Sequence, residues 1–175
     1  MNPDNQTVRE LRMTFDPNTI QHLGIKMYSH LPAAIAELVA NAYDADAEEV
    51  KIKLYDTEEG GKSILVEDDG HGMSFDEVNN YFLSIGRNRR SENLEKSPNG
   101  RTATGKKGLG KLALFGIGSE ISVSTKKYGE SRRINFIMSW ANLKNWNREL
   151  SGPDYKPTFE EIQDDLENSR LRVSS

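Results

Sequence analysis

"AIAELVANAYDADAEEV", residues 34–50, decides how the rest of the chain is read. Leu31, Ile35, Leu38, Val39 and Ala42 recur at helical spacing and predict an amphipathic helix. At 100° per residue, Glu37, Asn41 and Asp44 fall within about 60° of one another on the opposite side. Their flanks are Ala33, Ala36 and Ala40, small helix formers that leave room beside the polar groups. A solvated helix face usually mixes signs at i,i+4 spacing, yet neither lysine nor arginine stands between Lys26 and Lys51. A plain solvated face explains such a helix taken alone. The sharper expectation is a cation, or a polar ligand that brings one.

The 175 residues suit one domain with a sizeable core. A net charge of −4 argues against nonspecific nucleic-acid binding by the whole surface. With no cysteine, disulfides and thiolate metal sites are excluded, and a cytoplasmic setting is expected. His22, His30 and His71 make no zinc spacing. No run approaches the ~18 apolar residues of a membrane helix. The opening "MNPDNQTVRE" lacks the basic and apolar regions of a secretory signal.

Outward from the helix, "LRMTF" predicts a short strand and "DPNTIQHLG" a brief capped helix. "VKIKLY" alternates apolar and basic residues, and "ILVEDDG" pairs back across a "TEEGGKS" turn as a hairpin. Ser74 with Glu77 forms a capping box for a helix carrying Phe75, Val78, Phe82 and Ile85. Residues 86–107 are polar, charged and nearly free of large apolar side chains, which reads as a functional lid or a disordered segment. "GLGKLALFGIG" predicts a glycine-rich start to a short helix, and "EISVST" and "RINFIMSW" predict two strands. Thr158 with Glu161 suggests a second capping box and a helix with Phe159, Ile162 and Leu166, and "LRVSS" the start of another strand.

Two further places carry chemistry. In "VEDDGHGMS", residues 66–74, a strand ends in two acids and Gly70 and Gly72 bracket His71. Such glycines permit a sharp turn and close approach of a ligand, although an ordinary Asp-Gly turn explains them too. In "GRTATGKKGLGK", residues 100–111, glycine-rich backbone supplies amide donors suited to phosphate. Two standard phosphate loops fail there. Gly100 to Lys106 fits G-x-x-x-x-G-K, but Lys107 stands where Ser or Thr is needed for magnesium. Gly108-Leu109-Gly110 with Ala113 fits G-x-G-x-x-A without a strand before it. Arg87, Arg89, Arg90, Arg101, Lys106, Lys107 and Lys111 fit a solvated loop, triphosphate or nucleic-acid backbone equally.

The order of these places is specific: E-x-x-x-N on a helix, a D-x-G-x-G turn at a strand end, a polar lid, then G-x-x-G-x-G. Carried by Glu37–Asn41, Asp69-Gly70-His71-Gly72-Met73 and Gly105 to Gly110, this order resembles the GHKL ATPases. That superfamily joins DNA gyrase B, the ninety-kilodalton heat-shock chaperone, histidine kinases and MutL. The resemblance covers roughly residues 20–140, and "ELVANAYDADA", "DDGHGM" and "IGRNRR" look closest to the MORC-like and bacterial chaperone-like branches.

The resemblance implies an α+β two-layer sandwich of the Bergerat type, with a mixed β-sheet covered by helices. It implies one domain over residues 1–175, an ATP lid at 86–107, and a following domain that the chain lacks. Asn41 would hold Mg²⁺ and Glu37 would deprotonate the water attacking the γ-phosphate. Asp69 would accept from the adenine amine, Gly72 would make room for the ring and Met73 would touch it. Gly108, Leu109 and Gly110 would cradle the phosphates beside Lys107 or Lys111, with Arg87 in the lid and Asp44 orienting the helix or a water. For the family's late threonine, Thr125 and Thr158 are the candidates. The implied activity is slow Mg-dependent ATP hydrolysis driving lid closure and homodimerisation, with a nucleic acid or protein client and no membrane. An anti-sigma-type serine or histidine kinase and a nucleic-acid-binding module are the competing readings.

Overall fold

Period-two alternation builds the sheet. In β3 (Glu120–Thr125), Ile121, Val123 and Thr125 are buried while the residues between them are not. In β4 (Arg132–Ser139), Ile134, Phe136 and Met138 do the same, so the two strands present one apolar face. The computed structural model describes residues 10–13, 31–56, 61–84, 96–104, 114–145, 154–163 and 169–174. Within these, β1 (Val50–Asp56), β2 (Lys62–Asp68), β5 (Thr158–Gln163) and β6 (Ser169–Ser174) complete a six-stranded sheet of order β1-β2-β6-β3-β4-β5.

Helix α1 (Leu31–Asp44) supplies Ala34 and Leu38 to the same core as Ile64, Val66, Ile121, Val123, Phe136 and Val173. Its buried stripe is Ala34, Leu38 and Ala42, whereas Leu31 and Val39 are about 40% and 39% exposed. The helix is therefore turned so that Ala34 and Ala42 flank Leu38 on its inner face. Truncating Leu38 to alanine there would cost about 2–5 kcal/mol.

The Ser74–Glu77 capping box forms as expected: Glu77 N donates to Ser74 Oγ at 3.3 Å and Ser74 N to Glu77 Oε2 at 2.8 Å. It opens a single turn, α2 (Phe75–Glu77), that widens into a π-turn over Val78–Phe82. Phe75 and Val78 are buried and Phe82 is partly buried against the core; Ile85 lies outside the described residues. A 3₁₀ turn at Leu114–Gly116 and α3 (Trp140–Asn145) complete the covering layer, with Phe115 packed against Trp140 at 5.6 Å between centroids.

Two expectations are corrected. The sheet is antiparallel at every described pairing, not mixed, because β6 inserts between β2 and β3 and runs against both. Residues 158–163 form an edge strand rather than a capped helix. Phe159 stands opposite Phe136 in the register and 5.5 Å from the Phe75 ring. Glu161, the intended cap partner, instead meets Arg132 at 3.3 Å. Sheet pairing and ring packing outweigh the local cap signal. Among the described residues of "LRMTF", Leu11 to Met13, Met13 pairs in a bridge to Tyr155. The brief helix expected at 16–24 lies outside the described residues.

Candidate functional site

The chain leaves α1 through a tight turn in which Asp46 adopts a left-handed φ of 63°. Among non-glycine residues, aspartate tolerates that conformation better than most. The turn exposes the carbonyl of Ala45, which accepts from His71 N at 2.9 Å. The loop after β2 is thereby docked on the end of the helix.

Its two glycines are required for that docking. A Cβ on Gly70 would lie 2.8 Å from both the Cβ and the carbonyl oxygen of Ala45. A Cβ on Gly72, at φ +63°, would lie 1.8 Å from the Lys126 carbonyl oxygen. Gly72 thus serves close approach of the chain leaving β3, where the sequence suggested room for a ring. Met73 N then donates to Thr125 Oγ1 at 3.0 Å and Tyr128 N to the His71 carbonyl at 2.9 Å. Of the two candidate threonines, buried Thr125 touches this loop and Thr158 lies on the β5 edge.

The acids at the strand end differ. Asp69 Oδ1 accepts from the backbone N–H of Glu48 and Glu49 at 2.8 and 2.9 Å. Chiefly the Glu49 amide, joined by that of Glu48, holds its carboxyl below the usual range. Asp68 is different: burial pushes its carboxyl up, against a bond from Gly70 N at 3.0 Å. Counted back from Gly70 and Gly72, the spacing Asp-x-Gly-x-Gly begins at Asp68. That count is the signal that would have singled out Asp68, which the sequence reading passed over.

The end of α1 also holds part of the expected lid. Thr104 donates to Asp44 Oδ1 through its backbone N–H at 2.8 Å and its hydroxyl at 2.9 Å. Asp46 Oδ2 accepts from Asn99 N at 3.0 Å, and its Oδ1 accepts the Ser97 hydroxyl. Residues 96–104 are a hairpin docked on the helix, with Lys96 bridged to Thr102. In contrast, neither Glu37 nor Asn41 has a side-chain partner among the described residues; Glu37 is partly exposed and Asn41 exposed.

The sequence model for histidine kinase-, DNA gyrase B-, and HSP90-like ATPases matches residues 28–168. The chain belongs to this ATPase family. It is 40% identical over 117 residues to a putative type II restriction enzyme, HgiDII, of Herpetosiphon aurantiacus, covering 67% of this chain and 18% of that protein. It is 32% identical over 117 residues to the DNA mismatch repair protein MutL of Methanocorpusculum labreanum, covering 65% and 19%. The chaperone protein HtpG of Streptomyces coelicolor is 30% identical over 105 residues, covering 55% and 16%. The chain thus spans less than a fifth of the length of these relatives.

Family membership supports ATP binding and hydrolysis as the general activity. The described structure brings the α1 end, the β2 loop and Thr125 together. Arg87, Lys107, Gly108, Leu109, Gly110 and Lys111 lie outside the described residues. Among the described residues no helix is long and apolar enough to cross a membrane. Nor does any group of three or more His, Asp or Glu side chains there form a self-sufficient metal cage.

Proposed function

We propose that this domain binds Mg-ATP and hydrolyses it slowly, using nucleotide-dependent lid closure and homodimerisation as a conformational switch. The observation that carries the reading is the division of labour along α1 and the turn that follows it. Asp44 and Asp46 are bonded to the docked hairpin, while Glu37 and Asn41 remain without protein partners among the described residues.

Four residues apart, Glu37 and Asn41 stand side by side one helical turn apart. Asn41 offers an amide oxygen to the metal, and Glu37 orients and deprotonates the attacking water. Magnesium, when bound, supplies charge neutralisation at the phosphates. Asp68, desolvated at the strand end, accepts from the adenine amine in preference to Asp69, whose Oδ1 already takes two amides. Met73, anchored through Thr125, gives the ring an apolar contact. Lys107, Lys111, Arg87 and the amides of Gly108 to Gly110 complete the phosphate site.

Titration and turnover with Mg-ATP test this directly. Glu37→Ala should bind within about twofold of wild type while hydrolysis falls on the order of 100-fold or more. Hydrolysis unchanged in that variant would remove Glu37 from the mechanism.

The 40% identity to a putative restriction enzyme and the 32% identity to a mismatch repair protein favour a DNA-acting role over a chaperone client. ATP-dependent change in DNA retention or cleavage by a protein that carries this domain would establish it.

A further inference from the structure

We propose that Arg101, Asp46 and Asp44 form a positioning clamp that fixes where the glycine-rich run begins relative to Glu37 and Asn41. The proposal rests on the ATP-binding reading and adds to it a device that neither the E-x-x-x-N nor the glycine motif contains.

The hairpin is closed on itself as well as docked on the helix. Ser97 N donates to the Arg101 carbonyl at 2.8 Å and Gly100 N to the Ser97 carbonyl at 2.9 Å, with Gly100 at φ +83°. Arg101 N donates to Ser97 Oγ at 2.9 Å. Asp46, whose side chain is only 6% exposed, then gathers the Ser97 hydroxyl, the Asn99 amide and Arg101 Nε, the last at 3.8 Å. Burial pushes that carboxyl up, but these donors together hold it below the usual range.

Arg101 reaches further than one ion pair. Its Nη1 donates to the Ala47 carbonyl at 2.7 Å and the Tyr43 carbonyl at 3.4 Å. Its guanidinium lies 4.9 Å from the Tyr43 ring centroid. A planar fork can do all of this at once; an ammonium cannot. The second anchor is Thr104, held by Asp44 through both N–H and hydroxyl. Asp44 is three residues beyond Asn41, so Thr104 is tied within about one helical turn of the metal-binding position. Gly105 follows it directly in the sequence. Thr104, the residue before that run in the sequence, is therefore already anchored in the free protein, and its ordering is not charged to nucleotide binding.

The test compares Mg-ATP with adenosine, which lacks the phosphates, using Arg101→Ala, Arg101→Lys, Asp46→Asn and Thr104→Val in the 175-residue chain. Amide hydrogen exchange is followed in the same variants. Arg101→Ala and Asp46→Asn should weaken ATP about tenfold or more while adenosine changes less than about twofold. Arg101→Lys should resemble the alanine variant, and Thr104→Val should show a smaller loss in the same direction. Exchange at Asn99 and Thr104 should accelerate with Ile121–Thr125 unchanged. Accelerated exchange with wild-type ATP affinity would overturn the clamp, as would parallel loss of ATP and adenosine in the mild Thr104→Val variant. A wild-type chain that binds neither ligand would sink the nucleotide reading itself, and the clamp with it.

Discussion

The hairpin at 96–104 and the loop at 68–73 both dock on the end of α1, by opposite means. The hairpin is held by side chains: two aspartates, an arginine and hydroxyls satisfy one another. The loop is held largely by backbone, His71 N donating to the Ala45 carbonyl and Tyr128 N to the His71 carbonyl, with two glycines that leave no space for a Cβ. The hairpin's clamp consumes both of its carboxylates, whereas of the two acids in the loop Asp69 is taken by the Glu48 and Glu49 amides and Asp68 accepts from the Gly70 amide. Asp44 and Asp46 therefore serve the fold, and Asp68 remains desolvated with a raised affinity for protons. A group of that kind gains most from a fixed donor brought by a ligand.

The contrast breaks most severely at Gly72. Gly72→Ala places a methyl in the Lys126 carbonyl at a left-handed φ, and should destabilise by about 3 kcal/mol or more, adding overpacking to backbone strain. A fall in the urea midpoint at unchanged slope would show it. Next comes the pair of acids. Asp68→Asn should lower ATP affinity on the order of 10- to 100-fold, the loss of a charge-assisted hydrogen bond. Asp69→Asn should chiefly disturb the Glu48–Glu49 turn, with a smaller effect on binding. Equal losses in calorimetric titration would mean that the two acids are not distinguished by their bonding.

The smallest effect is in pH dependence, and the signs are opposite. The folded Asp46 carboxyl lies below its unfolded value, so its contribution is present above the unfolded pKa and lost as pH falls through the folded one. The folded Asp68 carboxyl lies above its unfolded value, so stability is fully present below the unfolded pKa and declines as pH rises through the folded one. Asp46→Asn should flatten the acid limb of a stability–pH profile. Asp68→Asn should gain on wild type near neutrality and lose that advantage in acid.

Much of this arrangement is readable from one dimension. The helix of Glu37 and Asn41, the β1–β2 hairpin, β3, β4 and the Ser74 cap are local patterns, and the structure forms each of them. The 158–163 segment misleads because Thr-x-x-Glu is also local, while its pairing with β4 depends on residues more than twenty positions earlier. The lid reading missed the 96–104 hairpin for a similar reason. Its polar, apolar-poor composition is that of a solvated loop, and only proximity to Asp44 and Asp46, over fifty residues away, gives those side chains partners.

The sequence by itself determined the family, the order of the motifs and the face of α1 that carries Glu37 and Asn41, because helical periodicity and glycine spacing are short-range properties. Tertiary structure alone decided which acids are occupied and which remain open, because hydrogen bonds between distant segments exist only once the chain has folded. It also decided why Gly70 and Gly72 must be glycine, since the atoms they avoid belong to Ala45 and Lys126.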